Sequence, residues 1–436
     1  MRGISVGFLV LAGLAGPAPA LADGDAGLCL GLREALELAS ARAPEVDAAE
    51  ARLDQAQADW RETRSLRHPQ VSTFGRSASG DSGLTSNQLE NQLGVQVSQR
   101  LFDFGDARLA EAAASQTVDQ RGFEVRAQQI DTAYTLADAY LTRLETLAKI
   151  DVIAERRSYF DRQREAVTEL LAAGGATRAD RAQIEAQLAG ADADAMELRF
   201  VADRAETRLR EYTGRSAQNL CASDRAAADL DRAMGGLDTL DGFVATALAD
   251  NPQVGARSSA IRSLEARLDR ERRNRLPVIE AVGILSYVYD DTREDWDSRD
   301  RLGVDVSVPL YTGNALGARR DRAAADLSLE QSSLRAVQRE LREQAEIAFR
   351  RSISLEAQLI RREAVADSQR EYFDAISGEF SFGLGTLPEL IDARLEYEQA
   401  QLDMISARYA LMRQQVELLR LTARLPVAGA AQEAAR

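Results

Sequence analysis

Two periods alternate along the chain. From Leu302 to Leu310 every second residue is apolar, with Gly303, Asp305 and Ser307 between Leu302, Val304, Val306 and Val308. That period of two belongs to a strand with one apolar and one polar face. VSTFGRSAS and QLGVQVSQRLF after Pro69, and VIEAVGILSYVYD after Pro277, read as companion strands; alternation is weak in the first, where Phe74 and Arg76 share a face. The links GDSGLTSNQ and DDTREDWDSRD are polar, so β-hairpins are expected over residues 70–102 and 278–310. Strands of about ten residues have the length a tilted membrane-spanning strand needs.

Elsewhere the period is helical. No proline lies between Pro69 and Pro252 or between Pro309 and Pro388, so long helices are predicted over 106–172 and 314–379. At 1.5 Å per residue each extends on the order of 100 Å, far more than a compact globule requires. In the last helix, expected over 387–424, Leu395, Leu402, Tyr409, Val416 and Ala423 recur every seven residues, with Ile405, Met412 and Leu419 three places on. Leu327, Leu334, Leu341, Ala348 and Leu355 repeat the heptad in the helix before it. Such a/d seams predict that the two helices zip antiparallel, with FSFGLGT as the turn. In that turn Gly383 and Gly385 supply backbone freedom, Thr386 can cap the next helix, and Pro388 is tolerated in its first turn.

The plan is written twice. Pro44 pairs with Pro252 and Pro69 with Pro277 at a separation of 208, and LAAGGATRADRAQ matches FSFGLGTLPELID at 209. The expected map has a first repeat over 23–213, with helices over 30–67, the hairpin 70–102, the long helix 106–172 and a helix over 178–213. A connector over 214–236 leads to a second repeat over 237–425, with helices over 238–275, the hairpin 278–310 and helices over 314–379 and 387–424; a tail over 426–436 completes the chain. The first 22 residues read as a signal peptide: Arg2, an apolar run, and an Ala20-Leu21-Ala22 cleavage site.

Composition narrows the chemistry. After Asp23 no eighteen consecutive residues are apolar, so a membrane crossing would have to use strands. The formal charge of −15, or −16 without Arg2, disfavours nucleic acid as a partner and favours cations in any pore. Cys29 and Cys221 admit two readings in an exported chain, a disulfide or two buried thiols. His68 is the single histidine, and no ligand-spaced His/Cys/carboxylate cluster, phosphate loop or nucleophile motif is present, so no metal, cofactor or catalytic function is expected. Tyr287, Tyr289 and Trp296 suit an interfacial aromatic belt or loop anchors equally.

Four strands are too few to close a barrel, and open edges cannot be left in lipid, so several chains must pool their strands. Paired Pro69 and Pro277 before the strands, LFDFG and LYTG entering the long helices, and AGGATRAD and FGLGTLPELIDA at the tips occur in order in both halves. In these features the chain resembles the TolC-like outer-membrane efflux protein family. The resemblance implies a mainly α, internally duplicated fold whose four strands per chain pool into a trimeric twelve-stranded barrel in outer-membrane lipid, continuous with a coiled-coil tunnel in the periplasm. It also implies a homotrimer that exports drugs or secreted proteins with a periplasmic adaptor and an inner-membrane transporter, ABC-type or proton-driven. The rival reading is a periplasmic coiled-coil adaptor.

Carried onto this chain, the family's adaptor-docking tips fall on Gly174, Gly175, Ala176 and Thr177 and on Gly383, Leu384, Gly385 and Thr386. A glycine turn alone would also account for the glycines. The family's acidic constriction falls on Asp180, Glu389 and Asp392, whose alternative role is to complement helix dipoles. Phe380 and Gly385 stand where well-known members carry a Tyr and an Arg that latch the closed end, so the latch is expected to differ, with Arg178 or Arg181 as substitutes.

Overall fold

A computed structural model of the chain describes residues 29–80, 88–290 and 295–428. The expected signal peptide over 1–22 lies outside them, as does the tail beyond residue 428. Short helices α1 (Leu32–Ser40) and α2 (Pro44–Ser65) lead into strands β1 (Gln70–Gly80) and β2 (Gln88–Phe102), then into the 67-residue α3 (Asp106–Ala172) and its return α4 (Arg178–Thr213). After α5 (Ser223–Met234) the order repeats as α6 (Leu240–Asp250), α7 (Pro252–Arg273), β3 (Val278–Asp290), β4 (Asp295–Ser307), the 67-residue α8 (Ala315–Ser381) and α9 (Leu387–Leu421). Pro44 and Pro252 each open a helix at its first turn, where a missing N–H costs nothing. β4 stops before Pro309, which has no N–H for a ladder.

The elements form layers, each a row with two ends. The strands make one antiparallel sheet in the order β1-β2-β3-β4. Beneath it, α2 packs on α3, α3 on α7 and α7 on α8. Farther down, α4 packs on α3, α3 on α9 and α9 on α8. In every layer a first-repeat element (β1, α2 or α4) occupies one edge and a second-repeat element (β4 or α8) the other.

α8 and α9 pack against each other as expected, with Leu341 and Ala348 of the α8 heptad against α9, but the upper part of the α9 seam itself faces another helix. Tyr409, Met412, Val416 and Leu419 belong to one buried cluster with Ile130, Leu136 and Tyr140 of α3 and Leu32 and Leu36 of α1. It is Leu418 and Leu421 that pack with Leu341, Ala345 and Ala348 of α8. α9 lies between two long helices and therefore buries two adjacent stripes; the more apolar one faces the thicker core. α9 ends at Leu421, where Ala423 takes φ +55° and the Arg424 N–H donates to the Leu419 carbonyl at 2.9 Å.

The 214–236 connector contains α5, which packs on α9 and α1. Leu30 and Leu220 form a parallel bridge, with the Cys221 N–H donating to the Leu30 carbonyl at 3.0 Å. Beside it Cys29 and Cys221 are joined by a disulfide that ties the start of the first repeat to the connector. The buried Tyr140 hydroxyl donates to the same Leu30 carbonyl at 3.0 Å.

Candidate functional site

Directly paired residues in a sheet share a face, so the register sorts the side chains. One cross-strand row runs Val71–Val97–Gly283–Leu302 and the next Thr73–Val95–Leu285–Asp300. This face also carries Leu93, Tyr287, Trp296, Val304 and Val306, all solvent-exposed; Leu302 is 88% exposed. A soluble sheet covers such a surface with another layer. The rows between belong to the opposite face: Ser72–Gln96–Ile284–Arg301, Phe74–Gly94–Ser286–Arg299 and Arg76–Gln92–Val288–Asp297. There Gln92 donates to the Ser286 hydroxyl at 3.0 Å, and Ser286 donates to the Arg299 carbonyl at 2.8 Å.

The weak alternation of β1 has a local cause on that polar face. The Arg76 guanidinium lies 5.3 Å from the Phe74 ring centroid, and the ring lies over Gly94. A Cβ at Gly94 would come within 2.8 Å of the Phe74 ring, the Leu285 carbonyl oxygen and Ser286. Phe74 thus finds an apolar slot on a polar face because the neighbouring strand has no side chain there. At the far end of the second hairpin the rings of Tyr289 and Trp296 meet edge to face, 5.5 Å apart across paired strands.

The other end of the rods closes in two copies of one turn. Gly174 takes φ +81° with the Gly175 N–H donating to the Leu170 carbonyl at 2.7 Å; Gly383 takes φ +73° with the Leu384 N–H donating to the Glu379 carbonyl at 2.9 Å. This bond back over five residues satisfies carbonyls that a helix end leaves orphaned. Thr177 and Asp180 then form a reciprocal capping box, and Thr386 and Glu389 form the same one. Hydrogen bonds from the Thr177 backbone and hydroxyl hold the Asp180 carboxyl below its ordinary range, and those from Thr386 do the same to Glu389.

Gly174, Gly175, Thr177, Gly383, Leu384 and Thr386 are exposed, while Ala176 and Gly385 are half-buried. At Gly385 a Cβ would come within 3.3 Å of the Phe380 backbone nitrogen, so the turn is tight at this position. Asp392 is exposed one turn into α9, and among the described residues no hydrogen bond or ion pair joins Asp180, Glu389 and Asp392 within one chain. Arg181 pairs with Glu185 at 3.3 Å, along its own helix. Sequence reasoning passed over Phe382, which projects beside Leu384 at 83% exposure.

It also missed a polar joint about three to four turns above the tips. Arg156 of α3 reaches Glu398 of α9 at 3.0 Å and pairs with Asp194 of α4. Close by, the buried Arg394 guanidinium sits 5.3 to 5.5 Å from the ring centroids of Tyr159, Phe373 and Tyr397, contributed by α3, α8 and α9. Burial pushes the Glu398 carboxyl up, against the pull of Arg156 and Arg394. Arg156 and Glu398 are 242 residues apart in sequence, so no local spacing marks them.

Among the described residues, no group of three metal-ligating side chains stands together, and no helix is long and apolar enough to cross a membrane. A family model described as outer membrane efflux protein matches residues 35–215 and again 244–424, the same offset of 209 that relates the two tips. The outer membrane efflux protein BepC of Brucella suis is 24% identical over 368 residues, 83% of this chain and 78% of that protein. The proteases secretion protein PrtF of Dickeya chrysanthemi is 23% identical over 325 residues, 70% of each. In architecture the chain is similar to the crystal structure of the outer membrane protein VceC from Vibrio cholerae, with a TM-score of 0.74 at 16% identity over 90% of this chain and 96% of that one.

Proposed function

Since this chain belongs to the outer membrane efflux protein family, we propose that it acts as a homotrimer whose sheets pool into one twelve-stranded barrel above a helical tunnel. It is an outer-membrane export channel with a periplasmic helical region and no enzymatic activity. The observation that carries the assembly is the open sheet: an apolar, exposed outer face, a polar inner face, and edges at β1 and β4. Unpaired edges and an uncovered apolar face are both untenable for one chain in lipid, and both are resolved when β4 of one copy pairs with β1 of the next. A soluble periplasmic adaptor has no use for such a face, and nothing supports that reading.

The helices support the same head-to-tail closure. Met196 and Phe200 project from α4, and Ile360 and Val365 from α8, all exposed. Phe200 stands 22 residues from the start of α4 and Ile360 21 residues from the end of α8, so both lie roughly 30 Å above the tips. On opposite edges at one height, they suit a heterologous interface that closes a ring.

Exposed Phe382 and Leu384, with the small residues Gly174, Gly175, Ala176, Gly383 and Gly385, suit the tips to docking by a periplasmic adaptor that leads to an inner-membrane transporter. Threefold repetition would gather Asp180, Glu389 and Asp392 near the tunnel axis as an acidic constriction favouring cations. The cargo, a drug or a secreted protein, is set by the transporter; of the two relatives, one is named an efflux protein and the other a proteases secretion protein.

Phe200→Cys with Ile360→Cys tests the assembly. A cross-linked trimer that conducts ions in a planar bilayer is expected, and a water-soluble monomer without conductance would refute it. Reversal potentials in a salt gradient that showed anion preference would refute the acidic constriction.

A further inference from the structure

The apolar face of the sheet ends abruptly at a basic collar. Residues 61–69, 99–112, 267–277 and 308–322, where strands meet helices, contain thirteen arginines against seven carboxylates, in a chain whose net charge is −15. The register shift between Arg100 and Phe102 leaves both Leu101 and Phe102 exposed, and Phe102 meets Phe104 edge to face at 4.6 Å. In the second repeat Leu310 and Tyr311 are more than 90% exposed.

Under Leu101 and Phe102 lies a cavity of about 410 Å³ lined also by Arg67, Arg100, Asp103 and Arg108. Arg67 is held by Glu111 at 2.8 Å, and Arg100 by Asp103, Asp106 and Glu280 at 3.5 to 3.6 Å. Arg108, Arg275 and Arg319 are exposed and form no ion pair among the described residues.

We propose that this collar is a docking surface for anionic phospholipid headgroups of the periplasmic leaflet, with the phosphate on the arginines and an acyl chain against Leu101 or Leu310. The inference rests on the membrane-embedded reading of the sheet. A guanidinium presents a planar fork to two phosphate oxygens, and its stem can lie along apolar surface while the head stays at the interface. Aromatic residues such as Phe102 and Tyr311 favour that same depth. The pairs at Arg67 and Arg100 fix the cavity wall, and Arg108 supplies the uncompensated charge.

The test uses the full-length trimer in nanodiscs containing equal phosphatidylglycerol and phosphatidylcholine, with retained lipid counted by native mass spectrometry. One arginine near a surface favours an anionic lipid about fivefold, so about fivefold enrichment of phosphatidylglycerol is expected. In the combined variant Arg108→Gln, Arg275→Gln and Arg319→Gln, which breaks no ion pair, the ratio should fall to about one. Lysine at the same positions should restore part of it. Equal enrichment in wild type and glutamine variant would overturn the proposal, as would no enrichment in wild type. Loss of the enrichment to millimolar inorganic phosphate would overturn it in favour of a free-anion site. Conductance separates the levels: a conducting trimer without enrichment sinks this inference alone, and a chain that never enters the bilayer sinks the membrane reading with it.

Discussion

Arg156 offers the sharpest test of how the two helical hairpins are held together. Its side chain is 9% exposed and that of Glu398 4%, whereas Asp194 is 55% exposed. Arg156→Met leaves the Glu398 carboxylate buried with only Arg394 nearby. Breaking a buried pair on one side costs about 3–5 kcal/mol, and the residual attraction of Arg394 places this case near the lower end, about 3 kcal/mol. The Asp194 half adds under about 1 kcal/mol, because that carboxylate returns to water. Arg156→Met with Glu398→Leu removes both charges and fills the space, so it should recover to within about 1 kcal/mol of wild type.

Thermal unfolding of the purified protein reads both variants. Unfolding entropy of roughly 2 cal/mol/K per residue converts about 3 kcal/mol into a fall near 3 °C for a chain this long, with most of it regained in the double variant. A single variant that melts within about 1 °C of wild type would refute the brace. So would a double variant no better than the single, because the cost would then come from lost packing rather than a stranded charge. Among the described residues, Arg156 Nε, Arg394 Nε, Glu398 Oε2, Gln369 Oε1 and Gln401 Oε1 are buried without a hydrogen-bond partner. A joint so incompletely satisfied adds little net stability, so it should determine how the helices pair more than how tightly.

Gly94→Val should abolish trimer assembly in detergent, since its branches would meet the Leu285 carbonyl as well as Phe74; trimming Phe74 to Ala should not rescue it, and rescue would show that the ring alone sets the constraint. Asp180→Asn and Glu389→Gln should speed amide hydrogen exchange in the first turns of α4 and α9 several-fold at neutral pH. Both carboxyls are depressed in the folded chain, so their stabilisation is complete above their ordinary values of 3.8 and 4.5 and is lost as pH falls through the lower folded values. Glu398 is raised, so its sign is opposite: its burial penalty is full above the folded value and disappears on acidification toward 4.5, and Glu398→Gln should remove that part of the pH dependence. Cys29→Ser with Cys221→Ser opens a loop spanning a separation of 192 residues, worth up to about 5 kcal/mol by chain entropy, and should lower the melting temperature by several degrees.

What could be read in advance was whatever repeats or alternates. The tips were legible because turn, cap and carboxylate recur at a fixed offset, and α3 and α4 because no proline interrupts them. Burial of the α9 seam was legible too, but a heptad states that a face is covered and not by what; the choice of α3 over α8 depends on α9 lying between them. Phe74 looked misplaced in β1 because its accommodation is an absence on another strand, at Gly94. The polar joint was invisible for a similar reason: its charges come from three helices, and each alone resembles a solvated arginine or glutamate.

The sheet and the lower helical layer reach one conclusion by different physics. In the sheet, unpaired N–H and C=O groups at β1 and β4 demand a partner strand; at the level of Phe200 and Ile360, exposed apolar side chains on α4 and α8 demand a partner helix. Each demand is met by opposite edges of one chain, and duplication explains why, since the first repeat supplies one edge at every height and the second supplies the other. Contacts that join unlike edges leave no copy with a free edge only when they close into a ring, and the rotation per copy sets how many copies the ring holds. In the proposed assembly successive copies proceed around an axis until the last meets the first. If strand edges and helix edges called for different rotations per copy, the barrel and the rods could not close as one tube, and cysteine pairs placed across each junction would cross-link in separate populations of the protein rather than in the same trimer.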